Sequence, residues 1–146
     1  MKLFTSKQFS INPENLKHIR TFARDFFNQL QIEKEQTENL VLAIIEAASN
    51  IMEHAYENNI SIDVLEIVMN ILPNHVLEIQ ILDKGKPIQL DKIKSRNLKD
   101  IRAGGLGIYF VGEIMDEVKF LKEENSKWNN RLIISKKITT PLLNQH

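Results

Sequence analysis

Apolar residues recur along this chain with two different periods, and the switches between them predict its elements. From about Leu3 to Ile11 apolar and polar side chains are mixed, as in an edge strand. Asn12-Pro13-Glu14 has the composition of a helix start, with proline in the first turn. Leu16, Ile19, Phe22, Phe26 and Leu30 then follow at helical spacing and predict a first helix with a packed aromatic face. A second helix is expected from near Thr37, with Leu40, Ile44, Ala47 or Ala48, Ile51 and Ala55 as its buried stripe and an end near Glu57-Asn58-Asn59.

Two β-branched alternating runs come next, Val64 to Leu72 and Val76 to Leu82. Separated by Pro73-Asn74, they predict an antiparallel hairpin whose strands are central in a sheet. Asp83-Lys84-Gly85-Lys86-Pro87 supplies turn chemistry, and a long polar, basic stretch leads to Gly104-Gly105-Leu106-Gly107. A loop of that length in a small domain is usually functional or mobile. Leu106 to Met115 is expected as a helix, Val118 to Lys122 and Leu132 to Ile138 as strands, and Thr139 to His146 as a loose tail. No repeat and no Ser/Gly/Pro-rich linker divides the chain, so a single domain over 1–146 is expected, with a core at about 9–138.

Composition narrows the function classes. At 146 residues with 42% hydrophobic side chains, the chain can bury a core and does not have the composition of a disordered segment. Lys plus Arg and Asp plus Glu both total 19, so the net charge is zero. That balance argues against nucleic acid as a partner, since such binding draws on counterion release, and against a polybasic membrane-surface protein. With no cysteine, disulfide scaffolds and thiol catalysis are excluded. No apolar run of about 18 residues and no leader-like N-terminus is present, so a soluble cytoplasmic protein is expected.

Three clusters could carry chemistry. Glu46, Asn50 and His54 are spaced by four and form one polar stripe on the second helix. Charged helix residues often simply face water, but Ala47, Ala48 and Ser49 around this stripe are small and would admit a ligand. A carboxylate and an amide one turn apart are also suitable oxygen donors for magnesium, which takes few protein ligands. Asp83, at a strand end, is of a type that often bonds its own turn backbone. The same carboxylate could accept from a ligand's exocyclic amine, with Gly85 leaving room for a flat ring.

The third cluster is Arg102-Ala103-Gly104-Gly105-Leu106-Gly107, immediately before a helix. Glycines there can be a hinge, or they can free backbone N–H groups to meet a phosphate at a helix N-terminus. The run is neither a P-loop nor the dinucleotide fingerprint, because it lacks Gly-Lys-Ser/Thr and a correctly spaced third glycine. Charge placement supports an anion. Lys84 to Arg102 holds seven Lys/Arg against two Asp, a balance of plus five, while Glu33 to Glu57 holds six Glu against Lys34, a balance of minus five. A basic loop over a polyphosphate, opposite an acidic helix holding its metal, accounts for both runs.

In order, Glu46-x3-Asn50-x3-His54-Ala55-Tyr56, Asp83-x-Gly85-x-Pro87 and Gly104-Gly105-Leu106-Gly107-Ile108-Tyr109 through Met115-Asp116-Glu117-Val118 resemble the GHKL ATPase superfamily. Within it the resemblance is nearest to the bacterial anti-sigma-factor serine/threonine kinases, and it spans about Phe9 to Lys137. The resemblance implies an α/β (α+β) two-layer sandwich, with helices on one face of a mixed, mostly antiparallel sheet and Mg-ATP held beneath a lid. It further implies Asn50 as the magnesium ligand, Glu46 as general base, Asp83 as acceptor for the adenine amine with Gly85 beside the ring, and Arg102 as a lid arginine meeting the γ-phosphate. Gly105 and Gly107 match phosphate-binding glycines, with Gly104 adjoining; His54, Pro87 and Leu106 complete the nucleotide-contacting set.

The function so implied is transfer of the γ-phosphoryl group to an anti-anti-sigma (STAS-domain) protein, while the same kinase, as a homodimer, sequesters a sigma factor or equivalent regulator. The alternative is a non-catalytic ATP-binding module that sequesters a partner. Two departures from the family pattern stand out: Ile88 and Gln89 follow the proline where an aromatic and an acidic residue are common, and Trp128-Asn129-Asn130-Arg131-Leu132 lacks a Gly-Thr pair often found there.

Overall fold

The computed structural model describes residues 2–87, 106–122 and 127–143, the stretch 106–109 by its backbone only. β1 (Phe4–Ile11) leads through a 3-10 turn (Pro13–Asn15) into α1 (Leu16–Gln29) and then α2 (Lys34–His54). β2 (Ser61–Leu72) and β3 (Val76–Asp83) follow, then α3 (Leu106–Ile114), β4 (Glu117–Lys122) and β5 (Asn130–Lys137). The strands form one sheet in the order β1-β2-β3-β5-β4. Every neighbouring pair is antiparallel, so the expected mixed character is absent from the described residues. As the alternating runs predict, β2 and β3 are interior strands and β1 lies at an edge.

Local chemistry sets the boundaries. The Asn12 side chain accepts from Glu14 N at 3.0 Å and opens the 3-10 turn ahead of α1. On α1 the buried face includes Ile19, Ala23, Phe26 and Phe27, and Leu30 is buried just beyond it; Phe22 is only half-buried and meets Phe9 edge-on at 5.7 Å. α2 begins three residues before the expected Thr37, because the Glu33 carboxylate caps it by accepting from Glu35 N at 3.0 Å. Thr37 is instead buried in the first turns, its hydroxyl donating to Ile32 O at 3.2 Å. After α2, left-handed Glu57 (φ 53°) and Asn58 (φ 63°) turn the chain. Left-handed Asn74 (φ 70°) and His75 (φ 61°) do the same in the β2–β3 connection.

Period-2 alternation puts Leu65, Ile67 and Met69 of β2, Leu77, Ile79 and Ile81 of β3 and Leu132 and Ile134 of β5 on one face. They form the core with Phe26, Phe27, Leu40, Ile44, Ala47 and Ile51 from the helices. The result is the expected two-layer α+β arrangement, with α2 packed against both α1 and α3. The segment expected to be a loose tail packs as far as it is described. Thr140 and Leu143 are buried, Leu143 joins the core, and Leu143 N donates to the Thr140 hydroxyl at 3.3 Å. An apolar side chain at that position fills core volume, which a count of turn residues does not show. No described helix is long and apolar enough to cross a membrane.

Candidate functional site

The alternation that buries Ile79 and Ile81 continues for one more step to Asp83, and so carries a carboxylate onto the helix-covered face of the sheet. There it is 1% exposed. Directly across the β3–β5 ladder stands Asn130, also 1% exposed. Asn130 Nδ2 donates to Asp83 Oδ1 at 2.9 Å, and Gly85 N donates to the same oxygen at 2.8 Å. Asp83 Oδ2 accepts no hydrogen bond among the described residues. Burial pushes the Asp83 carboxyl above its ordinary value; the bonds from Asn130 and Gly85 oppose that rise.

The turn after Asp83 is held from both sides. From β5, Asn130 Nδ2 also donates to Lys86 O at 3.0 Å. Asn129 Nδ2 reaches Lys84 O at 2.9 Å and Gly85 O at 3.1 Å, and Asn129 N donates to Asp83 O at 2.9 Å. From the helical layer, Lys86 N donates to Ala55 O at 2.9 Å, at the C-cap of α2. A Cβ on Gly85 would lie 2.6 Å from Ala55 Cβ and 2.8 Å from Ala55 O. Glycine is therefore required here by the close approach of α2, and the side on which its Cβ would project is filled by Ala55 and Tyr56 rather than left open for a ring. The Tyr56 hydroxyl accepts from Lys84 N at 3.2 Å and donates to Asp63 Oδ2 at 3.4 Å, while burial and the nearby carboxylates raise the phenol's pKa.

This docking brings the end of α2 onto the end of β3. Along α2, Ala47 and Ala48 are fully buried while Glu46 and Asn50 are half-buried. Neither of those two polar side chains makes a hydrogen bond among the described residues, so their oxygens are open to a ligand or cation. His54 sits further out, at the solvent end of the helix, with Nε2 3.9 Å from Glu53 Oε2. Pro87 is exposed where the Asp83 turn ends. Leu106 and Gly107 begin α3, whose Val111 is fully buried in the core. Arg102, Gly104 and Gly105 lie outside the described residues.

The Met-Asp-Glu-Val stretch has a structural task. Asp116 Oδ2 accepts from Lys137 N at 2.8 Å and Asp116 N donates to Ser135 O at 2.9 Å, which fastens the α3–β4 junction to β5. At the rim near Asp83, the ammonium groups of Lys84 and Lys127 lie 5.7 and 5.6 Å from the Trp128 ring centre. A cavity of about 370 Å³ between β1 and α1, with Lys7, His18, Phe22 and Asp25 in its wall, shares no residue with this site.

Residues 9–136 match the family described as Histidine kinase-like ATPase domain. The chain belongs to the histidine kinase-like ATPase family. Among relatives of this ATPase domain, the serine-protein kinase RsbW of Staphylococcus aureus is 28% identical over 128 residues, covering 82% of this chain and 80% of that protein. Two solved structures share the fold. One, of the RsbU and RsbW domains of a Mycobacterium tuberculosis protein, has a TM-score of 0.67 at 11% identity and covers 96% of this chain but 34% of that one. The other, the SiaB–SiaC complex from Pseudomonas aeruginosa, has a TM-score of 0.61 at 12% identity, with coverages of 90% and 87%. The family implies ATP binding.

Tyr56, Asn129 and Asn130 hold the Asp83 turn of the candidate site, a task to which the sequence motifs assign none of them. Tyr56 stood at the end of the helical motif as its boundary. The two asparagines are separated from Asp83 by more than 40 residues, and only the absence of a Gly-Thr pair drew attention to them.

Proposed function

We propose that this ATPase domain is an anti-sigma-factor-type serine/threonine protein kinase. It binds Mg-ATP, phosphorylates a hydroxyl of an anti-anti-sigma (STAS-domain) protein, and sequesters a sigma factor or similar regulator. The observation that carries this reading is that α2, which bears the open Glu46–Asn50 pair, docks through Ala55 onto the turn after a buried Asp83 whose Oδ2 accepts no hydrogen bond among the described residues. The donor set suits the group: an amide and a carboxylate oxygen one turn apart fit a magnesium ion that retains phosphate and water ligands.

In this reading Asn50 holds the ion through its side-chain oxygen, and Glu46 takes the proton from the attacking hydroxyl at its carboxylate. Magnesium, when bound, neutralises charge on the polyphosphate. Asp83 Oδ2 accepts from the exocyclic amine of the base, with His54, Gly85 and Pro87 along the same edge. Gly104, Gly105, Leu106 and Gly107 offer backbone N–H groups to the phosphates, and Arg102 meets the γ-phosphate. A cytoplasmic homodimer is the expected working form, and light scattering that gave only a monomer mass would refute the dimer.

Incubation with Mg-ATP and candidate anti-anti-sigma proteins, followed by intact-mass measurement, tests the kinase. One added phosphate on the partner is expected with the native chain and none with Glu46→Gln. The second reading is a module that holds ATP and sequesters a partner without transfer. It is favoured by one observation: Glu46 has no hydrogen bond among the described residues to orient it as a base. Partner capture unchanged by Glu46→Gln, with no phosphate transferred by the native chain, would select it.

A further inference from the structure

We infer that Asn130 is the specificity-setting residue of the base site: by donating to Asp83 Oδ1 it fixes Asp83 as an acceptor toward the ligand, and so selects a 6-amino purine over a 6-oxo purine. This rests on the proposed role of Asp83 as the base-reading group. Both protons of the Asn130 amide are committed, one to Asp83 Oδ1 and one to Lys86 O, at 2.9 and 3.0 Å. Turning the amide over would set its oxygen against a carboxylate and a carbonyl, three acceptors together, so the network itself fixes the orientation. With Gly85 N on the same oxygen, Oδ1 is saturated by donors and offers no place for a proton.

An ionised carboxylate held in this way can only accept at its remaining oxygen. An exocyclic amine completes it, whereas a 6-oxo purine would bring acceptor against acceptor in a buried setting. Without the Asn130 donor, burial favours the protonated acid, and a protonated Oδ2 could donate to a 6-oxo group. The other groups facing Asp83 do not take over this task. Tyr56 at the end of α2 is engaged with Lys84 N and Asp63, and the Asp63 carboxylate on β2 itself opposes ionisation of Asp83. On the turn, Lys84 is drawn toward Trp128 and Lys86 is exposed; on β5, the Arg131 guanidinium bonds Gln80.

The test compares Kd for Mg-ATP and Mg-ITP by calorimetry on the full chain, native and with Asn130→Ala, Asn130→Leu, Asn129→Ala or Asp83→Ala. Fluorescence of Trp128, the single tryptophan, gives a second readout of binding. The native chain should prefer ATP by about 10- to 100-fold, the value of a hydrogen bond to a charged group. Asn130→Ala should bring that ratio close to one. In the native chain the ratio should fall as the pH is lowered and Asp83 takes up a proton; in Asn130→Ala that fall should occur at higher pH. A ratio is used because triphosphate protonation cancels in it. If Asn130→Ala does not fold, Asn130→Leu, of similar size and with no donor to offer Oδ1, decides and predicts the same collapse. Asn129→Ala removes the clamp on Lys84 and Gly85 but not the donor to Asp83, and should weaken both nucleotides in parallel. A native-like ratio in a folded Asn130 variant, or an equal collapse in Asn129→Ala, would overturn the inference. Failure of the native chain to prefer ATP, or ATP binding unaffected by Asp83→Ala, would instead overturn the role of Asp83 itself.

Discussion

At the β3 end of the site, Asp83 and the turn that follows it are tied down by two asparagine side chains, a backbone N–H and the C-cap carbonyl of α2. Halfway along α2, by contrast, Glu46 and Asn50 stand half-buried over a floor of alanines with no side-chain partner among the described residues. The first region is held rigidly, because a buried carboxylate needs hydrogen-bond donors to offset its lost hydration, and Asp83 Oδ1 has two. The second keeps its donor atoms free, as groups do when a cation or reacting hydroxyl must complete them. In the proposed function, selection of a ligand and chemistry on it fall to separate elements, which meet through Gly85 and Ala55.

If that division holds, changes at the open end should alter rate far more than binding. Glu46→Gln is expected to lower phosphoryl transfer by about 10²- to 10⁴-fold, the usual contribution of a positioned general base, with ATP affinity within about threefold of native. A single-turnover assay beside calorimetry separates the two, and a parallel loss of affinity would dissolve the distinction.

At the rigid end the losses should appear in affinity and stability. Asp83→Ala should weaken ATP binding by about 10- to 100-fold, measured by calorimetry, without selectively slowing turnover of bound nucleotide. Gly85→Ala should destabilise the fold by about 1–3 kcal/mol in urea unfolding, because the added methyl overlaps Ala55, including its backbone carbonyl. An unchanged midpoint would mean that the α2–β3 contact is looser than 2.6 Å implies.

The smallest effect concerns pH. The folded pKa of Asp83 is raised by burial, so between that value and the ordinary carboxylate value the native state holds a proton that the unfolded state releases. Its contribution to stability therefore falls as pH rises through this window. Asp83→Asn should remove that slope and raise the unfolding midpoint at neutral pH while losing the preference for ATP. Such an exchange of stability for function is expected where a site holds a buried charge for recognition.

Much of this arrangement is legible in one dimension. The stripe Leu40, Ile44, Ala47, Ile51 fixed which side of α2 is buried, and therefore which side carries Glu46 and Asn50. Alternation through Val76 to Leu82 led to Asp83 at the strand end. The start of α2 was misplaced because a glutamate at the N-cap leaves a weaker signal than Ser, Thr, Asp or Asn. Phe27 lies outside the expected stripe because the single line Leu16, Ile19, Phe22, Phe26, Leu30 passes beside it, whereas the buried face of α1 is wider than that line. Leu143 was assigned to a loose tail because a single apolar residue in a short polar segment has no periodicity to reveal its burial.

The sequence by itself determined the elements and the faces they bury, and offered the candidate residues for chemistry, because periodicity and turn chemistry act between residues close along the chain. Tertiary structure alone decided how those residues are supported. The cross-strand register sets Asn130 opposite Asp83, and the docking of α2 leaves no room for a Cβ at Gly85. Both depend on contacts between segments about 30 to 50 residues apart, whose meeting is fixed by packing of the sheet against the helices rather than by any local pattern. A glycine that in the sequence suggested space for a ring is, in the fold, the place where two layers touch.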